Sequence, residues 1–153
     1  MQLLFSTDLA FRTLMRLSAE PERHLSTATL ARELSVSRNH LQKVVQSLSE
    51  GGYLRTVRGA KGGVMLSRSP AQIRVGDIVR YQERGQTLAE CFRPGGQCNL
   101  LACCRLKLAL WNAREAFLRN LDKLTLADCI TSAEDVLELA TGANAGLCAK
   151  SAS

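Results

Sequence analysis

The sequence contains no Cys-x2-Cys pair, and its only two histidines, His24 and His40, lie near the N-terminal end. Structural zinc sites and thioredoxin-like redox sites are usually built on such pairs, so a plain zinc ribbon is not expected. No cysteine stands beside a base or a resolving thiol at a spacing that would activate it, so no enzyme is expected either. The chain has no apolar run of membrane-spanning length, and its start, Met1 to Asp8, carries no basic residue. A transmembrane span and a signal peptide are therefore both unexpected, and the chain is placed in the cytosol. There thiols stay reduced, and grouped cysteines point to metal binding or redox sensing more than to disulfides. The composition also lacks the marks of disorder, since 46% of the 153 residues are apolar and 22% charged. One compact domain with an appended element is the expected organisation.

What the chain does have is a concentration of cysteine. Four of its six cysteines fall between Cys91 and Cys104, in the stretch CFRPGGQCNLLACCRLK. Pro94, Gly95 and Gly96 make its first half a loop, and a loop can wrap several thiolates around one centre. The spacing Cys91-x6-Cys98-x5-Cys104 suits an iron-sulfur cluster, whose core is wide enough for loop-spaced soft donors and usually takes a fourth ligand. The plainer alternative is a scatter of buried or redox-active thiols.

Charge is unevenly spread. Of the net +6, residues 1–70 carry ten basic against five acidic side chains, and residues 71–153 ten against nine. Between 32 and 68 stand Arg32, Arg38, Lys43, Arg55, Arg58, Lys61 and Arg68 against only Glu33 and Glu50, a balance that suits phosphate contact.

The periodicity explains where that charge sits. Ser6 and Thr7 offer caps, and Asp8 an acidic first turn, for a helix that runs to about Ala19 with Ala10, Phe11, Leu14 and Leu17 inward. A second helix is predicted from after Ser26 to about Leu34, then a break at Ser35-Val36-Ser37. A third follows, capped by Ser37 and striped by Leu41, Val44, Val45 and Leu48. Leu30, Ala31, Leu34, Val36, Leu41 and Val44 form the packing pattern of a helix-turn-helix. The outer face of the third helix offers Arg38, Asn39, His40, Gln42, Lys43 and Gln46 to base edges or phosphates. Two strands, 52–57 and 64–68, joined by the basic glycine-rich turn 58–63, then make a wing with Arg58 and Lys61 at its tip. A further helix is predicted from Ile73 to about Glu83, and a long one from Leu101 to Lys123, which has no Gly or Pro. So long an apolar face is expected to pack on the same helix of a second chain. A short helix after Thr125, with Leu126 and Ile130, and another over 132–140 complete the pattern, before a tail rich in Ala, Gly and Ser.

These features in this order resemble the winged-helix iron-sulfur regulators, a family that includes the NsrR-type nitric-oxide-sensing repressors and IscR. The resemblance rests on Phe5-Ser6-Thr7-Asp8, on Val36 to His40 with Val57-Arg58-Gly59 and Gly62-Gly63, and on Ala102-Cys103-Cys104-Arg105-Leu106-Lys107 followed by Leu124 to Asp128. It implies a mainly α fold with a small β-hairpin: a winged helix-turn-helix DNA-binding domain over 1–80, a cluster-binding loop over 81–104, a dimerisation helix with short C-terminal helices over 105–140, and a disordered tail over 141–153. It implies that Cys91, Cys98 and Cys104 hold a [2Fe-2S] or [4Fe-4S] cluster, with the partner subunit's Asp8 completing it, while Cys103, Cys129 and Cys148 stand outside the ligand set. Lys107 stands where IscR-like members carry a histidine, which favours the nitric-oxide sensor over a regulator of cluster assembly. The expected molecule is a cytoplasmic homodimeric repressor that binds inverted-repeat DNA through Ser37, Arg38, Asn39, His40, Gln42, Lys43, Arg58 and Lys61, and releases it when nitric oxide attacks the cluster. A zinc-stabilised DNA-binding module and a thiol redox enzyme are the competing classes.

Overall fold

A computed structural model describes residues 3–57, 59 and 62–141. Its first half is a three-helix core closed by a hairpin. Helix α1 (Phe5–Ser18) buries Leu9, Leu14 and Leu17, α2 (Thr27–Glu33) buries Leu30 and Ala31, and α3 (Arg38–Glu50) buries Leu41, Val44, Val45 and Leu48. Each fully buried leucine contributes roughly 1.5–3 kcal/mol. Ser26 caps α2 by accepting from the Thr29 amide (3.0 Å), and Ser37 caps α3 by accepting from that of His40 (3.3 Å). Between these helices Ser35 takes the left-handed conformation (φ 54°), the bend that a glycine would accept without strain.

Charge also pins the helices together. The guanidinium of Arg16, 2% exposed, meets Glu33 on α2 at 2.8 Å and Glu20 at 2.9 Å.

The hairpin follows directly. Strands β1 (Leu54–Val57) and β2 (Gly63–Leu66) pair antiparallel from Leu54 opposite Leu66 to Val57 opposite Gly63. Leu25, from the connection between α1 and α2, adds to β2 by exchanging backbone hydrogen bonds with Val64 at 3.0 and 2.9 Å. That approach is so close that a Cβ on Gly63 would lie 2.6 Å from the Leu25 carbonyl oxygen.

Helix α4 (Val75–Gln82) returns the chain to the core through Ile78 and Val79, and the cysteine loop leads from it to α5 (Arg105–Leu121) and α6 (Ala133–Thr141). A bidentate pair from Arg80 to Asp122 (2.5 and 2.7 Å) holds the end of α5 to α4. Gly76 allows it, since a Cβ there would fall 2.0 Å from Asp122 Oδ1.

The structure differs from the sequence-based expectation at several element ends: β1 starts at Leu54, because Gly52 (φ 73°) still belongs to the turn after α3, β2 spans Gly63–Leu66, and α4 starts at Val75 after a 3-10 turn at Pro70–Gln72. Helix α1 starts from Leu4, with Ser6 and Thr7 inside it. Helix α5 starts at Arg105, because residues 99–103 form turns. The short helix after Thr125 is a single 3-10 turn, Ala127–Cys129, in which the Asp128 carboxylate accepts from the Thr125 amide (2.7 Å) and hydroxyl (2.6 Å). The helix expected over 132–140 is α6, capped by Ser132, whose hydroxyl accepts from the Asp135 amide at 2.9 Å. The tail from 142, with Cys148, and the wing residues Arg58 and Lys61 lie outside the described residues.

Candidate functional site

The candidate recognition face is built by α3. Its buried stripe leaves Ser37, Arg38, Asn39, His40, Gln42 and Lys43 all exposed. Asn39, Gln42, Lys43 and Gln46 share an open concave surface with Thr56 of β1, so the helix and the root of the wing present one polar face. That arrangement places hydrogen-bonding side chains on a helix that can enter a major groove, with a basic hairpin beside it.

The cysteine loop follows the C-terminal end of α4. Local backbone hydrogen bonds shape its turns: Arg93 to Glu90 (3.0 Å), Gly96 to Arg93 (3.0 Å), Leu101 to Cys98 (3.2 Å) and Cys103 to Leu100 (3.2 Å). Two glycines are needed at its tip, since Gly95 has φ 73° and a Cβ on Gly96 would meet the Glu90 carbonyl oxygen at 2.2 Å. Cys91 and Cys104 line one open hollow together with Phe92, Lys107, Leu108 and Trp111. Phe92 stacks on Trp111 (ring centroids 6.3 Å apart), and Lys107 lies 5.7 Å from the Phe92 ring centre. Cys98 is half-buried in the adjoining turns and does not line the hollow. Among the described residues no three Cys, His, Asp or Glu side chains are gathered as for a single metal ion.

The donors fit an iron-sulfur cluster in kind. Two half-buried thiols line a common hollow walled mostly by apolar side chains, and Arg93 and Lys107 bring positive charge to a site that would gather thiolates. Cys103 points elsewhere, its thiol exposed and donating to the Leu100 carbonyl at 3.6 Å. Cys129 is on the 3-10 turn, where burial, with Asp128 second, pushes its thiol pKa up.

Asp8 is exposed on α1, with the Arg12 guanidinium 3.8 Å away. Arg12 also donates to the Leu34 carbonyl (2.6 Å), where α2 ends and the turn to α3 begins. Asp8 is thus one side chain removed from the helix-turn-helix bend. Sequence reasoning missed Arg12 and also Glu83, whose carboxylate accepts from the Leu4 amide and the Thr7 hydroxyl. Both contacts join residues distant in the chain, and no local pattern marks them.

A winged helix-turn-helix with a polar recognition face defines a DNA-binding regulator. Residues 5–132 match the Rrf2 family of iron-dependent transcriptional regulators, and the chain belongs to that family. It is 43% identical over 132 residues to the HTH-type transcriptional regulator NsrR of Geobacillus kaustophilus, covering 85% of this chain and 90% of that one. To NsrR of Bacillus subtilis it is 38% identical over 141 residues, 91% and 97% of the two chains. Among solved structures it resembles CymR, the global cysteine regulator of B. subtilis (TM-score 0.67, 26% identity, 84% of this chain and 95% of that one). It shares its fold with T. potens IscR (TM-score 0.64, 23% identity, 84% and 85%). The chain is a DNA-binding transcriptional regulator of the Rrf2 family and not an enzyme. No helix among the described residues is long and apolar enough to cross a membrane.

Proposed function

We propose that the protein is a homodimeric repressor that holds an iron-sulfur cluster and releases its operator in response to nitric oxide. The observation that carries this reading is the shared hollow of Cys91 and Cys104 at the root of a helix whose apolar side chains face solvent. Cys91, Cys98 and Cys104 would hold the cluster, and the partner subunit's Asp8 would complete it. When bound, the cluster supplies iron that nitric oxide attacks. Asp8 would be the weakest of the four donors, a hard carboxylate among soft thiolates, and the easiest to displace. A freed Asp8 has a partner ready in Arg12, and Arg12 holds the Leu34 carbonyl at the bend before the recognition helix. The basic excess of residues 1–70 then serves phosphate contact, while the exposed face of α3 reads bases. Two such faces related by a two-fold axis fit an inverted repeat.

The test is an anaerobic titration of cluster-loaded protein with nitric oxide, following visible absorbance and binding to an operator selected from random DNA. Chromophore loss and DNA release at the same dose are expected, with at least about a 10³-fold loss of affinity, which is about 4 kcal/mol of coupling. DNA affinity indifferent to both nitric oxide and cluster content would sink the proposal. With Asp8→Ala, an unchanged cluster, operator affinity and release dose would reduce Asp8 to a helix-start residue.

A further inference from the structure

The first turn of α1 makes more long-range contacts than a helix start needs. Leu4, its N-cap, has no capping side chain of its own. Glu83 supplies the cap from the end of α4: its Oε1 accepts from the Leu4 amide at 2.9 Å and from the hydroxyl of the fully buried Thr7 at 2.5 Å. Glu83 is also the first residue of the stretch that leads into the cysteine loop, where its carbonyl accepts from the Gln86 amide at 2.8 Å. One residue beyond Leu4, the Phe5 ring meets that of His40 edge to face, with centroids 6.0 Å apart. His40 lies in the first turn of α3, where the Ser37 cap is made. Such an edge-to-face pair contributes about 0.5–1.5 kcal/mol. A cavity of about 210 Å³, bounded by Leu3, Leu4, Val79, Glu83, Phe117 and Leu118, lies along the same turn and leaves it room to shift.

We propose that Glu83 is a positioning residue that couples the cysteine loop to the recognition helix within one chain, through the first turn of α1. A displacement of the loop root moves the Glu83 carboxylate and the Leu4 and Thr7 groups it holds. Phe5 then carries the shift to His40. Packed helices respond to such a push by discrete shifts of about 1–2 Å and not by local compression. The route rests on the proposed function for its signal, but it does not need Asp8 to be a ligand. It also makes Phe5 meaningful: at 58% exposure its ring adds little to the core, yet it spans two helices.

The test compares wild type, Glu83→Ala, Glu83→Gln and Phe5→Ala in two measurements. The first is backbone amide exchange on the cluster-free protein. Glu83→Ala is expected to speed exchange at residues 5–8 and also at 40–43, while Phe5→Ala speeds it at 40–43 alone. The second is the ratio of operator affinity with the cluster loaded to that without it. Glu83→Ala should reduce this ratio about tenfold, within the usual range of coupling between sites, with the cluster spectrum unchanged. Glu83→Gln should restore both readouts, because its amide oxygen still accepts from Leu4 and Thr7. Exchange changes confined to α1 in Glu83→Ala, or a wild-type affinity ratio in that variant, would overturn the proposal. A wild-type protein with no such ratio would refute the proposed function instead, and the exchange pattern would still decide the role of Glu83.

Discussion

At the scale of single residues, the proposed cluster turns on which thiols would hold it. Cys103 and Cys104 are neighbours in sequence, but Cys104 opens onto the hollow shared with Cys91 and Cys103 turns out to solvent. Serine at Cys91, Cys98 or Cys104 should abolish the visible chromophore of anaerobically isolated protein, and alanine at Cys103, Cys129 or Cys148 should preserve it. The reverse result for the adjacent pair would move the ligand register by one. Two stability changes follow from backbone geometry and close approach. Ser35→Gly relieves a left-handed non-glycine residue and should raise the unfolding free energy by up to about 1 kcal/mol, as read by urea denaturation. Gly76→Ala should lower it by about 1–3 kcal/mol, because the added methyl occupies the position of the Asp122 carboxylate and forces the Arg80 pair apart.

At the scale of elements, the Arg80–Asp122 pair gives the joint between α4 and α5 a pH dependence. Arg80 holds the Asp122 carboxyl below its usual pKa, chiefly by direct hydrogen bonding. Its stabilisation is therefore complete above the unfolded carboxylate pKa and is lost as pH falls through the lowered folded value. Melting temperature should decline less steeply at acid pH in Asp122→Asn than in wild type, and parallel profiles would remove the pair from the acid response. Much of the element pattern was legible in the sequence, because Ser26 and Ser37 cap their helices by local contacts and the apolar stripes of α1, α2 and α3 match their buried faces. The start of α5 was not. Leu100 and Leu101 continue the apolar pattern with no Gly or Pro before Arg105, so periodicity alone ran the helix back into the cysteine turns. The start of α1 was misread for another reason: its cap comes from Glu83, across the fold. Of the candidate site, the exposed polar face of α3 and the loop turn around Pro94, Gly95 and Gly96 could be read from the sequence. The Arg12 bridge from Asp8 to the Leu34 carbonyl could not, because it exists only once α1 packs beside the helix-turn-helix.

At the scale of the whole molecule, α5 is an unfinished surface. Of its 17 residues only Leu118 is buried, while Leu106 and Leu108 are each 63% exposed and Trp111 is 47% exposed. Apolar side chains so concentrated on one helix of a regulator usually mark an association surface. The proposed second copy would cover that face and would set two α3 helices about a two-fold axis, which would tie oligomeric state to DNA spacing. Half-sites should lie about 10 bp apart or a multiple of that, and inserting 5 bp between them should abolish tight binding. Leu106→Glu changes a side chain that neither the chain's own core nor the hollow of Cys91 and Cys104 uses, so the fold should survive while the proposed dimer dissociates in sedimentation equilibrium. Such a monomer would still carry one complete α3 face. Its affinity for a single half-site should equal that of wild type, but its affinity for the full repeat should drop by 10²-fold or more, on the order expected when a second binding event ceases to be intramolecular. In cluster-free protein Trp111, the only tryptophan, gives a second readout, since its emission should shift to the red if dissociation exposes the ring. Wild-type protein that sediments as a monomer and binds full and half-sites equally would show that α5 meets something other than a second copy of itself.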